Sequence, residues 1–371
     1  ASHGHACGAC SIPGVKPSKP YWKNQDSFLL MEKHAGIDGV SLIGVFDGHG
    51  PCGGEVSSFC RDNVSWILQD CRVEVCFRCC RSSSSSLSFF SYHDGYLTPP
   101  TPPHKHKHNP RNLIIPQSPH SPLQPPFGPA TAPLISNSFL RLDKELRHNI
   151  KTAHSGSTGV VALLANNMIV ISHVGDSRMC VGQAAGPEGQ VKVVQLTSDH
   201  KPERRDEHLR ISNSGGRVGP SSHAVDPKTA TMRVWSSHPA VHGPGLAVSR
   251  AFGDAVAHTC GVITVPEVRV RSIQPMDRWF MIASDGVWDV MTLADVGDTI
   301  EHVVAKSPKG GWSPVSAAKA IVSIARQRWR MSPQAMGRID DITALVVRCA
   351  KVKDRAEQNA STSKGHTKKK Y

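Results

Sequence analysis

The chain has 371 residues, 39% of them hydrophobic and 20% charged, enough for one large domain or two ordinary ones. Lys and Arg outnumber Asp and Glu 43 to 30, a formal charge of +13 that raises nucleic acid, acidic membranes and phosphorylated partners as candidates. Seven Trp and long Val/Ile/Leu runs exclude a wholly disordered chain, and no stretch of about 20 apolar residues exists to form a transmembrane helix.

Eleven cysteines is an odd number, which argues against a closed disulfide framework. Cys71, Cys76, Cys79 and Cys80 cluster, but His104, His106 and His108 fall at the wrong offsets for a zinc finger. They read as reduced thiols. No signal-peptide core is readable, so a reducing compartment, cytosol or nucleus, is the expectation.

Residues 1–19 read as an N-terminal extension. The apolar run 40–46 predicts a buried strand ending in Asp47-Gly48-His49-Gly50. A helix is predicted over 54–69, with Val56, Phe59, Val64 and Ile67 on one face. Residues 71–137 hold twelve prolines, six basic residues and two acidic ones, and read as a disordered Ser/Pro/His-rich insertion. Thr98-Pro99, Thr101-Pro102, Ser118-Pro119 and Ser121-Pro122 within it have the form of proline-directed kinase sites.

A second helix is predicted over 138–150, from Phe139, Leu142 and Leu146. Two apolar β runs, 159–165 and 168–174, flank Asn166-Asn167 as a hairpin, and 191–196 is a further strand. The charged run 201–210 reads as a solvated helix face and 212–245 as an irregular flap. Strands at 279–283 and 342–347 and a helix at 317–329 complete the pattern. The basic tail, 351–371, reads as frayed. Segments 71–137 and 351–371 carry +4 and +5 of the net charge, so the basic excess belongs mostly to appendages. One domain over 20–350, interrupted by the insertion, is the expected organisation.

Four apolar strands end at, or start from, an aspartate: Asp47, Asp176, Asp285 and Asp340, with Asp289 one turn beyond Asp285. A single Asp-Gly is a turn residue by default. Several at the ends of packed strands gather negative charge at one edge, which is costly unless cations bind there. Carboxylate oxygens suit Mg²⁺ or Mn²⁺ rather than zinc. Two such ions about 3.5–4 Å apart would clamp a phosphoryl group for in-line displacement.

At these residues the sequence resembles the metal-dependent Ser/Thr protein phosphatases of type 2C. The matching stretches are Asn24-Gln25-Asp26-Ser27-Phe28, Val45 to Gly50, Gly156-Ser157-Thr158-Gly159, Val174-Gly175-Asp176-Ser177-Arg178 and Leu196 to Pro202. They continue with Gly215-Gly216-Arg217-Val218, Leu246 to Asp254, Ala283 to Asp289 and Asp340-Asp341-Ile342-Thr343. The resemblance implies an α+β fold: a four-layer α/β/β/α sandwich, its two central sheets flanked by helices, with the metal site at one end between the sheets. It implies a first metal on Asp47, Asp285 and Asp340, and a second on Asp47, the Gly48 carbonyl and the position of Gln25. A third, looser ion would use Asp176, Asp285 and Asp289, and Asp26 joins the metal set. Asp47 and His49 are the implied catalytic residues, with attack by metal-activated water and His49 as general acid on the leaving alkoxide.

Two positions depart from the family. Gln25 stands where many members carry Glu; its amide oxygen can face a metal or its water but supplies no charge. Tyr21 stands at the place of a phosphate-binding Arg, leaving Lys23 as the nearest cation and a point charge rather than a fork. Arg178 and Arg250 read as salt-bridged framework, Thr158 as packing, and His200, His223, His238 and His242 as solvated loop histidines. The expected activity is Mg²⁺/Mn²⁺-dependent hydrolysis of phosphoserine and phosphothreonine in protein substrates, by a monomer. A silent scaffold recruiting partners through the insertion is the second reading, and it would have no reason to maintain the carboxylate repulsion. Nucleic-acid binding would need a groove-reading element or aromatics along a basic face, and the sequence shows neither.

Overall fold

The computed structural model describes residues 5–36, 39–68, 131–165, 167–186, 190–221, 230–238, 243–308 and 311–349. In chain order the strands are β1 (Ala6–Ile12), β2 (Asp26–Met31), β3 (Val40–His49), β4 (Gly156–Ser157), β5 (Gly159–Ala165), β6 (Met168–Val174), β7 (Arg178–Ala185) and β8 (Gln190–Gln195). They continue as β9 (Gly216–Pro220), β10 (Met232–Ser236), β11 (Pro244–Leu246), β12 (Phe252–Gly253), β13 (Glu267–Ser272), β14 (Asp277–Ala283) and β15 (Ile342–Arg348). The helices are α1 (Gly53–Ile67), α2 (Thr131–Asn149), α3 (Arg205–Asn213), α4 (Ala255–His258), α5 (Asp285–Trp288), α6 (Leu293–Lys306) and α7 (Pro314–Met331).

Two sheets carry the architecture. One has the order β1-β15-β14-β7-β8; the other runs β12-β4-β3-β5-β6-β13, with β2 also paired to β3. Strand alternation sends successive side chains to opposite faces, and here both faces are covered. Ile43, Val45, Val160 and Ala162 of one sheet meet Val181, Phe280, Ile282 and Leu345 of the other. The outward residues of the first group of strands, Leu42, Phe46, Val161 and Leu163, pack under α1 and α2. Trp279, Met281, Ala344 and Val346 pack under α6 and α7. The layers are therefore α/β/β/α, as the resemblance implied. Double-sided burial explains why these strands read as continuous apolar runs, and each fully buried large side chain stabilises the fold by about 1.5–3 kcal/mol.

Several expectations change. The first 19 residues are not an appendage: β1 pairs antiparallel with β15 from Ala6↔Arg348 to Ile12↔Ile342. The Asp341 carboxylate then takes the backbone N–H of Gly14 at 2.6 Å and the Trp22 indole N–H at 2.9 Å, stapling the following loop to the fold. Asp47, Gly48 and His49 lie inside β3 rather than in a turn after it, because Gly48 and His49 pair with Ser157 and Gly156 of β4.

The helix expected from residue 138 begins at Thr131, so 131–137 belong to α2 and not to the insertion. The kinase-type sites, the Cys71 to Cys80 cluster and the tail 351–371 lie outside the described residues.

The flap is also more ordered than its composition suggests. Strands β9, β10 and β11 form a three-stranded sheet, and Val234 packs with Ile211, Cys260 and Val262 beneath it. The charged run on α3 is not wholly solvated, since Glu207 is fully buried among Arg204, Arg210 and Arg250.

Candidate active site

Both sheets present their carboxylates at one end. Asp26 faces Asp47 across the β2–β3 ladder. Asp176 follows β6, Asp285 opens α5 directly after β14, and Asp340 precedes β15. Ala283 pairs with Ala344 on one side and Arg178 on the other, which places the Asp285, Asp340 and Asp176 segments side by side. Thr158 does more than pack. Its hydroxyl accepts the Asp47 backbone N–H at 3.3 Å and bonds the Ser177 hydroxyl at 2.8 Å, tying two carboxylate-bearing segments together.

The cluster is electrostatically unbalanced. Burial raises the Asp47 and Asp285 carboxyls well above the ordinary range, and the charges of Asp26, Asp176, Asp289 and Asp340 push the same way. Asp26 is pushed up to about 7, first by burial and then by Asp341 and Asp340, against hydrogen bonds from Thr343 and Ser284. Asp289 is pushed up to about 6 by desolvation together with Asp176 and Asp340. Three cations reach in: Lys201 bonds Asp176, Lys16 bonds Asp340 at 2.5 Å, and the exposed Arg338 meets the other Asp340 oxygen at 3.3 Å. Even so, Oδ1 of Asp176 and Oδ1 of Asp26 are buried with no hydrogen-bond partner among the described residues. Buried acceptors without donors are rare, and an all-oxygen set with orphaned lone pairs fits a hard divalent cation.

The remaining predicted residues fall around this cluster. Gln25 donates from Nε2 to the Gly50 carbonyl at 2.9 Å, and its own backbone carbonyl accepts the Gly48 N–H at 3.2 Å. Lys23 is exposed and makes no ion pair among the described residues. Asp26 accepts the Ser284 hydroxyl at Oδ2, at 2.8 Å.

His49 has a partner that the sequence reading did not assign. Its Nε2 lies 2.6 Å from Oδ2 of Asp254. His49 pairs across the ladder with Gly156, and a Cβ at that glycine would sit 2.0 Å from Asp254 Oδ2. Only glycine leaves the space through which Asp254 reaches the imidazole. Burial works against the charged ring, but the Asp254 carboxylate outweighs it and the His49 pKa is raised. The Asp254 carboxylate thereby favours the protonated ring.

The loop-histidine reading fails for His200, which is fully buried and stacked on His173 at 4.6 Å between ring centroids. Reactive atoms of His173, His200 and Glu267 lie within 4.8 Å of one another. His200 Nε2 is buried with no hydrogen-bond partner among the described residues and lies 3.6 Å from Glu267 Oε1. His200 accepts the Gly175 N–H at Nδ1, which places its own proton on Nε2, and His173 Nε2 lies 2.9 Å from the Ser198 carbonyl. Glu267 is already bound by Arg204 at 2.5 Å. Arg178 bridges to Asp199 at 2.8 Å and Arg250 to Glu207 at 2.7 Å, the framework roles expected of them.

Comparison with known proteins identifies the family. The family model described as "Protein phosphatase 2C" matches residues 74–331, a span holding Asp176, Asp254, Asp285 and Asp289. The rice protein "Probable protein phosphatase 2C 12" (Oryza sativa subsp. japonica) is 31% identical over 331 residues, 87% of this chain and 77% of its own length. "Probable protein phosphatase 2C 72" of Arabidopsis thaliana is 30% identical over 345 residues, 92% of this chain and 85% of its own. In fold the chain is similar to a serine-threonine phosphatase 2C from Toxoplasma gondii, with a TM-score of 0.66 at 23% identity, covering 93% of this chain and 94% of that one. The chain belongs to the protein phosphatase 2C family and is a metal-dependent protein-serine/threonine phosphatase.

Proposed function

We propose that catalysis runs at the carboxylate cluster with two core divalent cations, Mg²⁺ or Mn²⁺. Asp47, Asp285 and Asp340 would hold the first. Asp47, the Gly48 carbonyl and Gln25 would hold the second, directly or through water. Asp176, Asp285 and Asp289 form a third, more open set, and Asp26 supports Asp47 from behind. The observation that carries this reading is the convergence of mutually repelling carboxylates at one end of both sheets, two of them with orphaned buried oxygens. When bound, such ions would neutralise phosphoryl oxygens and lower the pKa of an attacking water.

The chain's own residues would do the rest. His49, held by Asp254, donates its proton to the leaving alkoxide of the serine or threonine. Lys16 replaces Lys23 as the cation that meets substrate phosphate. It already lies on Asp340 and rests 5.0 Å from the Trp22 ring centroid, whereas Lys23 points to solvent. The catalytic unit runs from β1 to β15, with an insertion ending before α2 and a basic tail after residue 350. It acts on phosphorylated proteins as a monomer in a reducing compartment, a setting that suits its seven described cysteines, all free. No described helix is long and apolar enough to cross a membrane.

The test is calorimetric titration of chelated protein with Mn²⁺ and with Mg²⁺, alongside turnover of a phosphothreonine peptide. Binding and turnover should rise together, and Asp47→Asn should remove both. Undiminished turnover in excess chelator would overturn the reading.

A further inference from the structure

The turn that presents Asp254 to His49 is conformationally unusual. Gly253 and Asp254 are successive residues in the left-handed region, at φ +79° and +45°. For a residue with a Cβ this conformation is disfavoured and persists where neighbours over-determine it. Backbone carbonyls supply part of the hold: Asp254 N–H donates to Ser155 at 2.9 Å and Ala255 N–H to Thr152 at 2.8 Å. The Gly253 N–H has a different acceptor. It donates to Oδ1 of Asp143 at 2.7 Å, a buried carboxylate on α2.

Asp143 sits on a face of α2 that grips this turn at three successive levels. One turn earlier, the Phe139 ring packs on Phe252 at 5.2 Å between centroids. One turn later, Arg147 bonds Oδ2 of Asp143 at 2.6 Å and reaches the His258 ring at 2.8–2.9 Å. His258 in turn donates its backbone N–H to the Asp254 carbonyl at 3.1 Å. Positions 139, 143 and 147 share a helix face by their spacing of four. They hold Phe252, Gly253 and His258, the residues on both sides of Asp254.

We propose that Asp143 is a positioning residue for the phosphatase reaction, fixing the Gly253–Asp254 turn and through it the orientation of the His49 proton donor. The proposal rests on the reading of His49 as general acid. A packing role alone would be met by an apolar side chain, yet here a buried carboxylate is spent on one backbone N–H with Arg147 balancing its charge.

The experiment compares two substrates with the full chain in Mn²⁺. A phosphothreonine peptide expels an alkoxide that needs a proton, whereas p-nitrophenyl phosphate expels a phenolate that leaves without one. Their rate ratio does not depend on how much of the protein is folded. With Asp143→Ala, peptide kcat should fall about 10-fold while aryl phosphate kcat stays within about 2-fold, in the same sense as His49→Gln, where peptide kcat falls about 100-fold. Asp143→Asn keeps the Oδ1 acceptor and should restore most of the peptide rate. If the alanine protein does not accumulate, Asp143→Glu, which displaces the acceptor by one methylene, should change the same ratio. Equal losses on both substrates would overturn the proposal. A ratio altered by His49→Gln but by no Asp143 variant would overturn it while leaving the general acid in place. A ratio unmoved by His49→Gln would overturn both.

Discussion

Two acidic regions in this fold behave in opposite ways. Glu207 is fully buried, accepts from Arg210 and Arg250 at 2.7–2.8 Å and from the Ser249 hydroxyl at 2.5 Å, and its pKa is driven far below the ordinary carboxylate range despite desolvation. At the proposed metal end, Asp26 is buried, Asp47 and Asp285 are half-buried and Asp289 is exposed, yet all four move upward, because desolvation is joined by neighbours of the same sign. The same side-chain chemistry is framework where its charge is matched and a candidate cation site where it is not. Lys16 and Lys201 only partly close the gap, and the orphaned oxygens of Asp26 and Asp176 mark what they leave open.

Substitutions can break this contrast from either side. Asp285→Ala removes a carboxylate shared by two of the proposed ion sets, and turnover of a phosphothreonine peptide should fall by about 10³-fold, equivalent to about 4 kcal/mol of transition-state stabilisation. Glu207→Gln should do its damage elsewhere. It leaves three arginines facing a neutral amide, and chemical denaturation should show a loss of about 3 kcal/mol with kcat per folded molecule little changed. The Glu207 contribution also has a sign in pH. Its folded pKa lies below its unfolded value near 4.5, so the stabilisation is complete above that value and is lost as pH falls through the depressed one.

Smaller effects sharpen the active-site half. Asp254→Asn removes the charge that raises the His49 pKa, so the protonated ring should be lost at lower pH, and the alkaline limb of the kcat profile should move to lower pH. An unmoved limb would separate His49 from that titration. Lys16→Ala should raise KM for a phosphopeptide several-fold, and Lys23→Ala should leave it near wild type. Equal effects would return the phosphate-facing role to Lys23 or to neither.

Much of this arrangement was legible in the sequence, and the gaps have physical causes. Strands β3, β5, β6, β14 and β15 are buried on both faces and announce themselves as apolar runs. The strands β1 and β13 at sheet edges, partly exposed and mixed in polarity, carry no such run and went unread. Helix α6 was missed although Thr292 and Asp295 form a capping box at its start, a signal that periodicity alone does not capture. The clustered aspartates could be picked out because apolar strands that end at or begin from an aspartate recur, at Asp47, Asp176, Asp285 and Asp340. Asp254 could not be assigned, because its role depends on the empty space over Gly156 and on a left-handed turn, and neither is a property of local composition. Lys16 was hidden in a segment that reads as a tail until Asp341 staples it to the domain.

An aspartate cluster whose charge is unmatched without cations should show itself in thermal melting. Chelated wild-type protein, Asp285→Asn and Glu207→Gln are melted with and without saturating Mn²⁺. Mn²⁺ should raise the wild-type melting temperature more than that of Asp285→Asn, because ligand binding to the folded state adds stability. Without metal, Asp285→Asn should melt above wild type while Glu207→Gln melts below it. A metal-free Asp285→Asn that melts below wild type, together with no response of the wild type to Mn²⁺, would contradict a cation site at the cluster.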